Sequence, residues 1–431
     1  MLALLLALAP LPPALVVVAP AEWEGVLKPF VEARSKERPS TFVALEDALA
    51  RNAGRDAPER LKRELYRRWK EEGLGYVLLV GDADVLPVRF MVLDRCTEPA
   101  FHYAFYPSDH YYADVARPDG SFDDWNAEQQ GFHAGYFGEV RGECHKEEPI
   151  NFDRISYVPE LAVGRWPVSS AAEAQALAAK TLAWTPTGKT PRALLVHAPE
   201  WIDARTQAGA LADAWQGAGF EVLRQLYGES SDIPSPPSVA QALHSGVDLA
   251  VHLGHGSEES WHRCLGPAER DGLWNVHPAV FLSIGCSTAH LCNEPPYQPY
   301  VDVAGIAHRG TNAGEVFREP PPPPGCYQPG PLNSTGLGER LLRMPKGGAI
   351  AYIGCGTGAQ PCALSLLEGF GRALAADPAV CIGDAWKQAL AFYFEHEHLA
   401  ELKPDSGWYP PSIFFQGMKF LCYGDPTLRL R

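Results

Sequence analysis

His255 and Cys286 are the residues of this chain whose types and setting could do chemistry. His255 follows the apolar run VDLAVHL (247–253), and Cys286 follows AVFLSI (279–284). Val247, Leu249, Val251 and Leu253 alternate with their neighbours, as do Val280 and Leu282. Each run therefore reads as a short buried strand that stops abruptly in small residues. In a parallel α/β sheet the carboxyl ends of neighbouring strands line one crevice, and ligands bind there. A thiol and an imidazole delivered to that edge can serve as nucleophile and acid/base partner. Taken singly, a buried Cys is a small hydrophobe and a His at a strand end is a hydrogen-bonded structural group. Here Gly and Ser flank both, so backbone N–H groups can face a substrate oxygen. A free thiol is only a few per cent ionised at neutral pH, and a neighbouring imidazolium raises the thiolate fraction. The same His can then protonate a departing amine. His252, three residues earlier, falls on the other face of its strand and reads as structural.

The elements that must position this pair alternate along the chain. Strands are expected at 14–19, 41–45, 75–80, 160–168, 192–198, 220–226, 247–253, 279–284, 348–353 and 418–423, with helices between most of them. At 59–71, Leu61, Leu65 and Trp69 recur every four residues and mark one buried helix face. Pro186, Gly188 and Pro191 punctuate the middle of the chain. The domain reading is a signal-like segment at 1–12, an N-terminal α/β subdomain at 13–187, and a C-terminal catalytic α/β subdomain at 188–431 carrying an insertion at 292–331. The insertion contains five consecutive prolines, 320–324, whose extended, semi-rigid conformation suits a surface segment beside the cleft better than a ligand for a proline-reading partner.

The 431 residues carry a net charge of −15, which argues against a nucleic-acid partner because phosphate contacts need a basic face. No stretch reaches the roughly twenty apolar residues of a membrane span. The apolar start, MLALLLALAP, lacks a leading basic residue, yet it favours export, to a secreted, periplasmic or cell-surface location. Phosphate-loop, serine-elbow and HExxH signatures are missing from the sequence. The ten cysteines include no C-x-x-C pair. With Cys286 set aside, nine remain, so at least one more is free even under oxidising conditions. Cys264, Cys292, Cys326 and Cys362 lie in loop-like sequence where a bridge could form. From 101 to 159 the pattern becomes aromatic, acidic and irregular. Asp124, Asn126 and Glu128 there have the alternate spacing of a calcium loop, although a solvated acidic loop has the same composition.

The segment GHGSEESW (254–261), followed about thirty residues later by an apolar strand ending in Cys286, resembles the gingipain family of cysteine peptidases. So do GYVLLVGDADVLPVRF (75–90), PELAVGRWPV (159–168), GGAIAYIG (347–354) and YGDPTLRL (423–430), a set spanning nearly the whole chain. The resemblance implies a caspase-like α/β fold with mostly parallel sheets, flanking helices and two subdomains. It implies a cysteine endopeptidase acting on protein or peptide substrates, with His255 as catalytic histidine and Cys286 as nucleophile. The N–H groups of Gly256 and Cys286 then form the oxyanion hole, and Glu200 orients His255 through its carboxylate. Asp203 lies near the position that recognises a cationic side chain in arginine-specific relatives, and Trp261 is a candidate pocket wall. The glycine-rich turn at 354–358 would border the specificity pocket. Calcium would be structural, with no cofactor needed for chemistry. The insertion at 292–331 exceeds the family's connection. Where gingipains continue into an immunoglobulin-like domain after the motif matched by YGDPTLRL, the expectation here is a chain without one. A silent peptide-binding scaffold, or a transpeptidase using the same thiol, remains the alternative.

Overall fold

A computed structural model describes residues 12–95, 102–198, 200–228, 233–404 and 409–431. The signal-like reading of 1–12 therefore falls almost wholly outside the described residues, as does Cys96. In chain order the strands are β1 Ala14–Ala19, β2 Ser40–Ala44, β3 Leu74–Val80, β4 Phe90–Asp94, β5 Tyr103–Pro107, β6 Ala162–Trp166 and β7 Arg192–His197. They continue with β8 Glu221–Leu226, β9 Leu249–Leu253, β10 Ala279–Ser283, β11 Tyr300–Val301, β12 Ala307–His308, β13 Ala349–Cys355 and β14 Phe420–Gly424. Ten of them form one sheet in the order β2-β1-β3-β6-β14-β13-β10-β9-β7-β8. All neighbours run parallel except β13 and β14.

Strands buried on both faces read as near-continuous apolar runs, because helices cover both sides of a parallel sheet. That is the case for β9 and β10, every residue of which is buried. Leu249, Val251 and Leu253 project to the layer holding the helices Arg205–Gly217, Leu364–Ala376 and Ile382–His396. Ala250 projects to the opposite layer, with the helices Glu24–Arg34, Ala171–Ala183 and Leu337–Arg343. Each fully buried Leu or Val contributes on the order of 1.5–3 kcal/mol. Helix boundaries follow local chemistry. The helix Ala57–Glu72 begins where the Asp56 carboxylate accepts from the Glu59 N–H (3.0 Å) and ends at the left-handed Gly73.

The single antiparallel junction reverses the sheet, so the strands preceding residue 187 run opposite to β7–β10 and β13. The reversal sits at β13–β14, paired from Ala351–Gly424 to Cys355–Phe420. The next contact, β14–β6, is parallel; it is where the two halves of the chain meet, and it shares only the pair Tyr423–Arg165. Backbones approach closely there. A Cβ on Gly164 would lie 2.2 Å from the Gly424 carbonyl oxygen, and Gly424 itself has φ +127°. The buried Arg165 anchors the seam with a two-point bridge to Asp109 (2.8 and 2.6 Å) and a bond to the Gly81 carbonyl (2.8 Å). Arg34 likewise holds Asp425 at 2.7 Å, and Arg343 holds Asp82 at 2.7 Å.

The irregular reading of 101–159 misses the hairpin β4–β5, whose five pairs run from Phe90–Pro107 to Asp94–Tyr103. The five prolines are tied down rather than displayed. Tyr136 and Tyr300 donate hydroxyl bonds to the Pro321 and Pro322 carbonyls (2.8 and 3.0 Å), and the Val303 N–H reaches Pro323 (3.1 Å). The insertion packs on the first half of the chain, where Phe105 donates to Pro295 and Val88 to Cys326. The nine described cysteines are all free thiols, so the bridge considered for Cys264, Cys292, Cys326 and Cys362 does not form. Among the described residues, no helix is long and apolar enough to cross a membrane.

Gly164→Ala tests the seam. The added Cβ meets a carbonyl that cannot rotate away, so the variant should lose about 3 kcal/mol, the upper end of overpacking costs. A lowered melting temperature in a thermal scan is the expected result; an unchanged one would mean that β6 and β14 separate without cost.

Candidate active site

β9 and β10 pair in parallel, with Val251 opposite Leu282 and His252 opposite Ser283. Three residues beyond that last pair, each chain reaches its reactive side chain, His255 on one strand and Cys286 on the other. The two turns touch through glycines. A Cβ on Gly256 would lie 2.5 Å from the Thr288 methyl and 2.9 Å from the Cys286 carbonyl oxygen, and one on Gly285 would lie 2.8 Å from the Gly256 Cα. Any side chain at either glycine would drive the two turns apart. Directly after the nucleophile, Ser287 takes a left-handed φ of +52°, so the chain turns back sharply. Its N–H is paid with a 2.7 Å bond to the Thr357 carbonyl.

The His255 Nε2 lies 2.9 Å from the main-chain carbonyl of Glu200. A carbonyl only accepts, so Nε2 carries the proton and Nδ1 is left as the base. Among the described residues, Nδ1 takes no hydrogen bond. The carboxylate reading of Glu200 is therefore corrected. The residue orients the imidazole with its backbone, at a left-handed φ of +65°, while its carboxylate pairs with Arg263 at 2.9 Å in solvent. The N–H groups of Gly256 and Cys286 likewise donate to no partner among the described residues. They remain available to an oxyanion.

Three further readings change. Trp261 is fully buried, stacked on His252 (4.7 Å between ring centres) and bonded through Nε1 to the Tyr352 hydroxyl (2.9 Å). It is core, not a pocket wall. His252 is structural, as expected. Its Nδ1 meets the Ser283 hydroxyl at 3.0 Å, and burial holds it neutral, lowering its pKa to about 3. Asp203 is exposed near the cleft, but Arg205 engages both its oxygens (2.8 and 2.7 Å), which neutralises the charge a cationic substrate would need and holds the carboxyl below its usual range.

The calcium reading of Asp124, Asn126 and Glu128 does not fit the geometry. Asp124 faces Arg55 and Arg117, at 3.5 and 3.6 Å. Asn126 turns its amide nitrogen to the His133 and Tyr136 carbonyls, and Glu128 caps the Gln130 N–H in solvent. Their donor atoms do not converge. Among the described residues, no cluster of three or more His, Cys, Asp or Glu could hold a metal ion.

Sequence reasoning missed the support of the thiol. The Ala359 N–H donates to the Cys286 Sγ at 3.3 Å, and the thiol in turn reaches the Ala359 carbonyl at 3.7 Å, so this one residue fixes the position of the sulfur. The turn carrying it is clamped by the C-terminal segment. Gly356 donates to the Lys419 carbonyl (2.8 Å), the Lys419 Nζ donates to the Gly358 carbonyl (3.3 Å), and Gln360 donates its N–H to the Gln416 side chain (2.9 Å). Gln416 and Lys419 are both buried, and burial holds the Lys419 ammonium below its ordinary pKa. Beside them, Glu294 is desolvated and raised to about 7, with Thr357 as its hydrogen-bond partner. The glycines at 354–358 advertise this turn in the sequence; nothing there pairs it with residues sixty positions later.

A family model for peptidase family C25 matches residues 9–431. The chain belongs to that family. It is thus a cysteine-type peptidase of gingipain kind, and its expected substrates are proteins. The fold agrees. The crystal structure of the Arg-specific cysteine proteinase gingipain R aligns over 97% of this chain and 78% of its own, with a TM-score of 0.62 at 14% identity. The complex of the RgpB pro- and mature domains of Porphyromonas gingivalis gives 0.60 at 14% identity, covering 97% and 80%. A further structure described as a protease gives 0.60 at 15%, covering 97% and 78%. No curated relative matches by sequence.

Lys419→Met removes the Nζ bond to Gly358 while keeping most of the side-chain volume. Iodoacetamide labelling of Cys286 at neutral pH should slow about tenfold, the scale of one charge-assisted hydrogen bond, and Lys419→Arg should restore part of the rate. Equal labelling in all three proteins would show that the turn holds its N–H in place without the clamp.

Proposed function

We propose that this peptidase of family C25 is an endopeptidase whose nucleophile is Cys286 and whose acid/base is His255. The observation that carries the reading is the register of β9 and β10, which brings a histidine with an open Nδ1 and a cysteine with an N–H donor on its sulfur to adjoining turns. His255 Nδ1 takes the thiol proton, and the thiolate attacks the carbonyl carbon of the scissile peptide bond. The carbonyl π electrons move to oxygen, and the Gly256 and Cys286 N–H groups receive the resulting oxyanion. As the oxyanion collapses, the C–N bond breaks and the imidazolium gives its proton to the departing amine, leaving a thioester on Cys286. Water, deprotonated by His255, then attacks the thioester and releases the acid and the thiol. Every step uses protein groups and water, so the chemistry requires no cofactor. The family also supports the export reading, with action on proteins outside the cytoplasm.

Intact-mass measurement after reaction with a peptidyl thiol-directed inhibitor tests the assignment on wild type, Cys286→Ala and His255→Ala. The expected result is one adduct on Cys286, none in Cys286→Ala, and labelling slowed about 100-fold or more in His255→Ala, the scale of general acid–base contributions. Slow alkylation that ignores both substitutions would favour a silent peptide-binding scaffold. Transfer of the acyl group to an added amine in preference to water would favour a transpeptidase.

A further inference from the structure

We propose that the subsite next to Cys286 receives an apolar side chain, of the Leu, Met or Phe kind, from the residue immediately before the scissile bond. The inference rests on the peptidase reading above. A cavity of about 610 Å³ lies between the helices Arg205–Gly217 and Leu364–Ala376, and three of its lining segments lead straight from the catalytic groups. Leu253 ends β9 two residues before His255. Thr206 lies in the first turn of the helix that follows Glu200, whose carbonyl holds the imidazole. Leu364 opens the helix that follows Ala359, whose N–H meets the sulfur. The mouth therefore lies at the catalytic edge. From Thr206 to Ala214 the cavity runs about 12 Å along its helix, at 1.5 Å per residue.

Its floor is made by Leu253, Leu211 and Leu367, all buried, and its outer wall by the small Ala210 and Ala214. The nearby carboxylates are satisfied within the chain. Arg205, the residue before the lining Thr206, holds both oxygens of Asp203, and Arg372 holds Glu368 at 2.6 Å on the far wall. Among the described residues, a cationic side chain entering here finds no unpaired carboxylate along the lining. It would have to displace a guanidinium from one or lie uncompensated among leucines, and an unpaired charge is poorly tolerated in such a setting. An apolar side chain trades water for Leu and Ala surface and leaves both ion pairs intact.

The test is cleavage of internally quenched peptides that differ only in the residue before the scissile bond: Leu, Phe, Arg, Lys or Asp. Leu and Phe should exceed Arg and Lys in kcat/KM by about tenfold or more, the range a pocket of this kind can discriminate. Ala210→Trp, at an exposed position, fills the cavity from its open side and should cut the Leu and Phe rates about tenfold, with the melting temperature unchanged. Arg205→Ala frees Asp203 and should raise the Arg-to-Leu rate ratio. Faster cleavage after Arg or Lys by the wild type, or Leu cleavage insensitive to Ala210→Trp, overturns the inference. If either occurs while Cys286 labelling still depends on His255, only the subsite falls. If no peptide is cut and labelling ignores His255, the peptidase reading falls with it.

Discussion

The constraint on which the site depends is the absence of a side chain where Gly256 meets Gly285. Parallel pairing of β9 and β10 sets the two reactive residues equally far beyond the last bonded pair, but it does not bring their turns together. Contact does, and contact is possible only because neither turn carries a Cβ at the crossing. Every later feature inherits this approach. The adjoining turns of His255 and Cys286, the N–H groups of Gly256 and Cys286 left without a partner among the described residues, and the sharp reversal at Ser287 all presuppose turns packed backbone to backbone. Strain at Ser287 costs of order 1–3 kcal/mol, and the buried strands beneath it supply the rigidity that keeps it.

Around that crossing the protein uses main-chain groups where side chains would be the first guess. Glu200 acts through its carbonyl, Ala359 through its N–H, and the oxyanion donors are amides of Gly256 and Cys286. Main-chain donors are fixed by the fold and need no reorganisation when charge develops, which is the condition for effective electrostatic stabilisation. The cost moves outward to the groups that hold the turns. The buried Lys419 and Gln416 clamp the turn of Ala359, and they belong to the segment that leads into β14, the strand joining the two runs of the sheet. The sheet reversal and the thiol's hydrogen bond are thus parts of one mechanical connection.

This division explains what the sequence disclosed. His255, Cys286 and Gly256 were legible because strand alternation ends visibly in small residues, and such endings place side chains at one edge. VGRW and YGDP were recognisable as motifs, but their meaning was not. Gly164, Arg165, Gly424 and Asp425 serve the seam between β6 and β14, the parallel neighbours through which the two halves of the chain meet, several strands from the thiol. The hairpin β4–β5 was hidden because its apolar residues are buried by an irregular segment and the insertion, leaving no simple alternation to read. Asp203, Trp261 and the trio Asp124, Asn126 and Glu128 were misread for one shared reason. Residue type and spacing say what a side chain can bind, whereas its partner within the chain decides whether it is free to do so. Arg205, Tyr352, Arg55 and Arg117 were those partners.

The same principle separates fold from specificity. The features that bring the turns of the thiol and the imidazole together are backbone features, the strand register and the contact of Gly256 with Gly285. Specificity rests instead on which charged groups near the cleft are left uncompensated. A carboxylate at the mouth confers a preference for cations only while it lacks an internal partner. Arg205, two residues from Asp203, engages both its oxygens, so on the subsite reading proposed above that preference is removed without touching the catalytic pair. On that reading, a single residue at this position redirects substrate choice while β9, β10 and their glycine contact stay as they are.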